Sequence, residues 1–388
     1  MLGLNTDVFN PFYFSMSKNA KIILVILLVL VVVFVGWRFR QNSSSEAALK
    51  IGAILPLSGP AAYYGEQIRN GLEIAKAGLE QKYPDMRFNI FYEDSFYTPK
   101  GGIDAYQKLR NVQSVDGVIV MASQVAIPLQ PLVTKDGILE MAVAATSPKY
   151  SSPNDLTFRV SPGFDADAVT LVNFLEKQRV NRLAMLSVNN DFGLGGQIAL
   201  KGELQKRKSS IQIVSDENYL ADASDVRTQL TKIKQARPEA IYILGIGQNY
   251  VTILKQAKEV GLEQPLMTIR SAEDPVVLKN AAKEAEQMVY SYTFDQESAE
   301  AKTFVTAYQA RYGEVPSSYA AEGYEALNLT LAAFAKCQKN YSCIQSFLSE
   351  TKDYPSVFGD LSFDSHGDVH LPPSFLKTVR DGKFVKVE

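Results

Sequence analysis

Between residues 182 and 269, four short apolar segments (182–188, 211–214, 240–244 and 265–269) begin 29, 29 and 25 residues apart. The stretches between them carry helical periodicity, so the interval is that of a strand, a crossover helix and the next parallel strand. Few folds are open to a chain punctuated in this way. A strand covered on both faces reads as a continuous apolar run, and right-handed crossovers return each strand to the same sheet. The same pattern occurs earlier, at 51–55, 88–92, 117–121 and 139–145. The first of these segments is stopped by Pro56, turned by Ser58, Gly59 and Pro60, and followed by Tyr64, Ile68, Leu72, Ala75 and Leu79 at helical spacing. Between the second and third, Ile103, Tyr106, Leu109 and Val112 share one helical face. The expected class is α/β, with two doubly wound lobes. The 388 residues, 46% hydrophobic and 21% charged, suffice for both. Helices at 298–312 and 319–336, a turn at His366-Gly367-Asp368 and a hairpin around Asp381-Gly382 complete the chain.

Forty Lys and Arg stand against forty-two Asp and Glu, a formal charge of -2. No basic excess exists for a phosphate backbone to attract, so nucleic acid is not an expected partner.

Residues 22–37 form an uninterrupted apolar run flanked by Lys18, Lys21, Arg38 and Arg40. At about 1.5 Å per residue such a run reaches roughly 24 Å, and flanking cations can snorkel to span the rest. Two readings are open: a transmembrane anchor, or a cleaved secretory signal starting at Met16. Trp37-Arg38-Phe39-Arg40 stands where small residues would mark cleavage, which favours the anchor. Residues 1–21 are then an N-terminal tail and 38–48, with three consecutive serines, a linker.

An enzyme reading finds few parts. His366 and His370 are the only histidines; no Gly-x-Ser-x-Gly elbow or Walker motif occurs, and neither Gly245-Ile246-Gly247 nor Gly193-Leu194-Gly195-Gly196 completes a dinucleotide fingerprint. No catalytic residue, metal or cofactor is expected. Cys337 and Cys343 lack further ligands at zinc spacing. They form either a local disulfide in an exported protein or two free thiols.

Binding is better served. Met121-Ala122-Ser123-Gln124 ends one strand and begins a helix, offering a hydroxyl and backbone N–H groups that suit a carboxylate; an ordinary N-cap would look the same. Together with the opening strand, turn and helix at 50–75 and with Ala144-Ala145-Thr146-Ser147-Pro148, this segment resembles the type I periplasmic solute-binding proteins, specifically the branched-chain amino acid (leucine/isoleucine/valine) binding family. The resemblance runs from about residue 49 to the C-terminus. It implies Rossmann-like lobes joined by a three-segment hinge, crossing near 159–161, near 289–293 and after 368. Lobe 1 would comprise 49–161 and 293–369, and lobe 2 162–292 and 370–388. It further implies that Ser123, Gln124, Ala144 and Thr146 hold a ligand carboxylate, with Tyr64 and Tyr324 as cleft aromatics.

Lobe 2 departs from the family pattern. Phe192 and Ile246 stand where tyrosines are usual, and Arg270 where an acid pairs with the ligand ammonium. The ligand is therefore expected to carry a carboxylate without an adjacent ammonium, unless Arg270 turns aside onto Glu273 or Asp274. The implied function is an extracytoplasmic receptor that closes on a small carboxylate-containing solute for ABC-type uptake. The alternative is a membrane-tethered sensor acting on a signalling partner.

Overall fold

The structure, a computed structural model, describes residues 17–19, 31, 48–150 and 155–387. The expected membrane segment at 22–37 lies, apart from residue 31, outside the described residues. Among the described residues no helix is long and apolar enough to cross a membrane.

The first lobe is built on five parallel strands: β1 (Leu49–Leu55), β2 (Phe88–Asp94), β3 (Gly117–Met121), β4 (Leu139–Val143) and β5 (Thr157–Arg159), in the order β2-β1-β3-β4-β5. Helices α1 (Ala62–Lys82), α2 (Pro99–Lys108) and α3 (Ser123–Asp136) make the crossovers. All residues of β3 and β4 are buried, which explains their unbroken apolar sequence. β4 stops at Val143 because Ala144 takes a left-handed φ of 50°, two residues before the expected end. Val112, expected on the buried face, is 68% exposed. α2 runs into a π-helical turn over Leu109–Gln113, and the wider turn rotates that face away from the sheet.

The second lobe carries β6 (Arg182–Val188), β7 (Gln212–Tyr219), β8 (Ala240–Leu244), β9 (Leu266–Ile269) and β10 (Val289–Tyr292). Its helices are α4 (Phe164–Lys177), α5 (Asp191–Arg207), α6 (Arg227–Gln235), α7 (Gln248–Glu259) and α8 (Pro275–Ala281). β7 extends well past residue 214. It is an edge strand, half-exposed, so its second half is polar and gives no apolar signal.

After β10 the chain returns to the first lobe as α9 (Lys302–Tyr312), α10 (Ser318–Cys337) and α11 (Tyr341–Ser349), followed by a small antiparallel ribbon of β11 (Tyr354–Ser356), β12 (Gly359–Phe363) and β13 (Val369–His370). It then crosses again to add β14 (Phe375–Arg380) and β15 (Lys383–Lys386) to the second sheet, whose order is β15-β14-β10-β9-β8-β6-β7. Asp381 and Gly382, with φ of 52° and 66°, make the two-residue turn between these last strands. Counting the passage from β5 to β6, the chain moves between lobes three times. A disulfide joins Cys337, at the end of α10, to Cys343 in α11, with Cα atoms 5.5 Å apart.

α10 lies against α1 at backbone contact: a Cβ on Gly71 would stand 1.9 Å from the Ala320 carbonyl oxygen, and one on Gly323 2.4 Å from that of Ile68. The same helix buries Glu325, whose carboxylate accepts the Val357 N–H at 2.7 Å. Burial pushes this carboxyl up from 4.5 to about 7. The folded protein therefore holds a proton that the unfolded chain releases. Glu325 is expected to lower stability progressively as pH rises from about 4.5 to about 7, by about 3 kcal/mol in all, with no further effect above. Denaturant midpoints at pH 5 and pH 8 should differ less in Glu325→Gln than in the wild type.

Candidate functional site

In open α/β sheets the carboxyl ends of the strands face the ligand crevice. Here the ends of both sheets converge on one cavity. From the first lobe come Tyr64 in the first turn of α1, Tyr97 after β2, Met121 and Ala122 at the end of β3, Ala144 and Thr146 after β4, and Tyr319 in α10. From the second come Phe192 in the first turn of α5, Ile246 after β8, and Ile269, Arg270 and Ser271 at the end of β9. The cavity they enclose is about 20 Å³, room for a single water molecule and too little for an organic solute.

Two of its wall residues have unusual backbones. Ala122 and Ala144 adopt φ of 81° and 50°, a region that costs a non-glycine residue of order 1–3 kcal/mol. Both stand where a strand ends.

Polar contacts across the cleft are specific. Tyr64 Oη donates to the Ser271 carbonyl at 2.8 Å and accepts the Gly247 N–H at 2.9 Å, so one hydroxyl of the first lobe is held by two backbone groups of the second. Burial, with Asp274 nearby, raises that hydroxyl well above its ordinary pKa. Arg270 and Glu322 form an ion pair at 2.8 Å, and their side chains are 1% and 0% exposed. The other oxygen of Glu322 accepts the Ala144 N–H at 2.8 Å and the Ser161 hydroxyl at 2.5 Å. Burial opposes the guanidinium charge, but Glu322, Tyr319 and Asp167 outweigh it and raise the Arg270 pKa. Neither acid considered for Arg270 from the sequence takes that place. Glu273 pairs with Lys377 and accepts from Tyr290, while Asp274 accepts the Val276 N–H at the start of α8.

Six of the nine expected site residues line the cavity: Tyr64, Ala144, Thr146, Phe192, Ile246 and Arg270. The other three do not. Ser123 is fully buried and its hydroxyl accepts the Ser147 N–H at 3.1 Å, so it fixes the Ala144–Ser147 loop from behind. Gln124 is buried beside the Tyr97 hydroxyl. Tyr324 packs its ring 4.7 Å from that of Phe304, and Tyr319 faces the cavity in its stead. Five residues on a helix turn about 140°, so the two tyrosines of α10 cannot share a face.

Sequence reasoning missed Glu322, Tyr97, Tyr319 and Ser271. For Glu322 a signal exists: an acid set among alanines and a glycine in Ala320-Ala321-Glu322-Gly323, within a helix otherwise rich in apolar residues. The remaining three lie in loops or first turns that carry no periodicity. Among the described residues, no group of His, Cys, Asp and Glu is arranged to hold a metal ion.

Comparison with known proteins gives one consistent match. The family model described as periplasmic binding protein matches residues 48–382. A Leu/Ile/Val-binding protein of Escherichia coli (strain K12) is 24% identical over 337 residues, covering 85% of this chain and 90% of the relative. A Leu/Ile/Val-binding protein homolog 2 of Brucella abortus (strain 2308) is 23% identical over 353 residues, covering 88% and 93%. Among solved structures, a leucine-binding protein from Thermotoga maritima MSB8 superposes with a TM-score of 0.80 at 18% identity, covering 88% of this chain and 98% of that one. A solute-binding protein of an ABC transporter from R. palustris, in complex with benzoate, gives 0.77 at 21% identity, covering 88% and 96%.

Proposed function

This chain belongs to the periplasmic binding protein family, and from that premise we propose that it is an extracytoplasmic receptor that closes two lobes around a small carboxylate-containing solute and delivers it to an ABC-type permease. It is a binding protein and not an enzyme. We assign lobe 1 to residues 49–161 and 293–369 and lobe 2 to 162–292 and 370–388, with the three connecting segments as the hinge.

The observation that carries this reading is a set of buried donors without partners on facing walls of the cavity: Thr146 Oγ1 from one lobe, Arg270 Nε and Nη1 from the other. Leaving such a group unsatisfied costs about 1–3 kcal/mol, and more when it is charged. A solute carboxylate supplies the acceptors they lack, and the aromatic and aliphatic remainder of the wall suits an apolar body. The relatives' names support the class: some bind leucine, isoleucine or valine and others benzoate.

The apolar run at 22–37 with its flanking cations favours a membrane tether, which serves delivery to a permease. It serves equally a sensor acting on a signalling partner, the second reading. A solute-stimulated ATPase in membranes reconstituted with the co-purifying partner selects the first.

Mass spectrometry of solute released by mild denaturation from the purified full chain tests the receptor reading. A stoichiometric small carboxylate is the expected result; recovery of a chemically altered product on re-addition, or of no solute under any growth condition, counts against it. Thr146→Val keeps the side chain's shape and removes the donor. It is expected to weaken binding of the recovered solute about ten- to a hundredfold in calorimetric titration, without moving the denaturation midpoint downward.

A further inference from the structure

The three segments in which the chain passes between lobes meet around a second cavity, of about 440 Å³, which shares no residue with the first. Pro162 and Asp165 wall it from the first passage, Thr293 from the second, and Asp364 with the stretch 368–374 from the third. Side chains tie the first passage to the third: Thr170 Oγ1 lies 2.5 Å from Ser374 Oγ, and Arg159 pairs with Asp368. The charge left over is acidic. Arg159 directs Nε to Asp368 and Nη1 to the carbonyls of Ala145 and Ser147. Asp165, in the first turn of α4, and Asp364 pair with no lysine or arginine among the described residues; His370 Nε2 stands 3.6 Å from Asp364. Thr293 is short of a partner as well. Its residue is 9% exposed and lines the cavity, yet its Oγ1 makes no hydrogen bond, an unfavourable state for a buried hydroxyl.

We propose that this cavity is a second ligand site, for a small organic cation: an alkylammonium with its charged end among Asp165, Asp364 and the Thr293 hydroxyl and its chain along Val369, Leu371 and Pro372. An ammonium carries three donors and no acceptor, and two carboxylates with a hydroxyl oxygen are the set that satisfies it. An anion would face both acids at once. The apolar part of the wall suits a hydrocarbon body, as in ligand cavities generally. The three passages are the segments that bend when two lobes move, so an occupant touching all of them is coupled to the cleft. The cavity has this size while the lobes are bonded to each other by Tyr64 and Ser271 and by Arg270 and Glu322. A cation that fits it stabilises that arrangement, and the solute and the cation each tighten the binding of the other. The cation site stands by itself; its effect on solute binding rests on the receptor reading above.

Thermal shift of the purified full chain with hexylamine and with 1-hexanol reads the charge requirement. Stabilisation by hexylamine that 1-hexanol does not reproduce is expected. No stabilisation by hexylamine, or an equal effect of 1-hexanol, overturns the cation site. Calorimetric titration of hexylamine locates the binding. Its affinity should fall about fivefold in Asp165→Asn, where an exposed ion pair is lost, and about tenfold in Thr293→Val, where a hydrogen bond to a charged group is lost. Thr146→Val, in the other cavity, should leave it within about twofold. Wild-type affinity in both Asp165→Asn and Thr293→Val, or a loss in Thr146→Val as large as in these, places hexylamine elsewhere and overturns the site. Hydrogen exchange without solute reads the coupling at the Gly247 amide, which is bonded across the cleft to Tyr64. Saturating hexylamine should slow its exchange about fivefold or more in the wild type. An unchanged rate with hexylamine bound overturns the coupling. Hexylamine binding and Gly247 protection as expected, with no solute ever recovered from the full chain, count against the receptor reading and leave the cation site standing.

Discussion

Replacing Arg159 by methionine is expected to destabilise the protein by about 3 kcal/mol, and to weaken solute binding as a consequence. Arg159 ends β5 and its side chain is 2% exposed. Its Nε pairs with Asp368 at 2.7 Å, and its Nη1 donates to the carbonyls of Ala145 and Ser147, each at 2.9 Å. The backbone N–H of Arg159 also donates to the Gly367 carbonyl at 2.9 Å, so residue and side chain together stitch the first crossing between lobes to the third. Methionine fills a similar volume but removes the guanidinium from Asp368 and from the Ala145 carbonyl, and leaves the Ser147 carbonyl with the Tyr150 N–H at 3.1 Å. Because Asp368 is 20% exposed, water relieves part of the loss, which places the effect at the lower end for a broken buried pair. The two carbonyls flank Thr146, so the cavity wall loosens with them. Urea denaturation with paired titration of the recovered solute measures both. Arg159→Lys should recover charge but not the fork, and so only part of the stability. An unchanged midpoint in Arg159→Met would show that the end of β5 is held by other contacts.

Gly71→Val is expected to cost up to about 3 kcal/mol, for a different reason. The added Cβ meets the Ala320 carbonyl oxygen at 1.9 Å, and this neighbour is backbone that cannot rotate aside. α1 and α10 must move apart, and α10 carries both Tyr319 and Glu322 to the cleft. Gly78, two turns further along α1, is the control, since a Cβ there meets nothing within 4 Å. Gly78→Ala should be neutral or stabilise by up to about 1 kcal/mol, as a helix interior prefers alanine. Denaturation midpoints of the two variants should move in opposite directions. A common direction would mean that helix propensity, and not close packing, governs α1.

How much of this was legible follows from the kind of signal each element gives. β3 and β8 are buried on every residue, so 117–121 and 240–244 read as strands directly. β5 and β10 give a weaker signal, and only the resemblance marks their surroundings, as crossings near 159–161 and 289–293. Each is a strand of four residues or fewer, and β10 is Val-Tyr-Ser-Tyr, too polar to stand out as an apolar run. In the site, Ala144 and Thr146 follow from the resemblance of Ala144-Ala145-Thr146 to the family's segment, and periodicity alone does not single them out. Tyr324 was matched by type, although Tyr319 in the same helix is the residue that faces the cavity. A helix sequence gives the relative angle of its residues but not which angle meets the cleft.

The α/β class and the two series of strands are legible in the chain, because burial on both faces of a sheet imposes a local apolar pattern. The partner of Arg270 follows from the packing of the fold. Glu322 lies 52 residues away in the chain and reaches the cleft from a helix of the opposite lobe. Pairing at that separation leaves no periodic trace, since it depends on how two lobes and α10 pack and on which charges burial allows to remain paired.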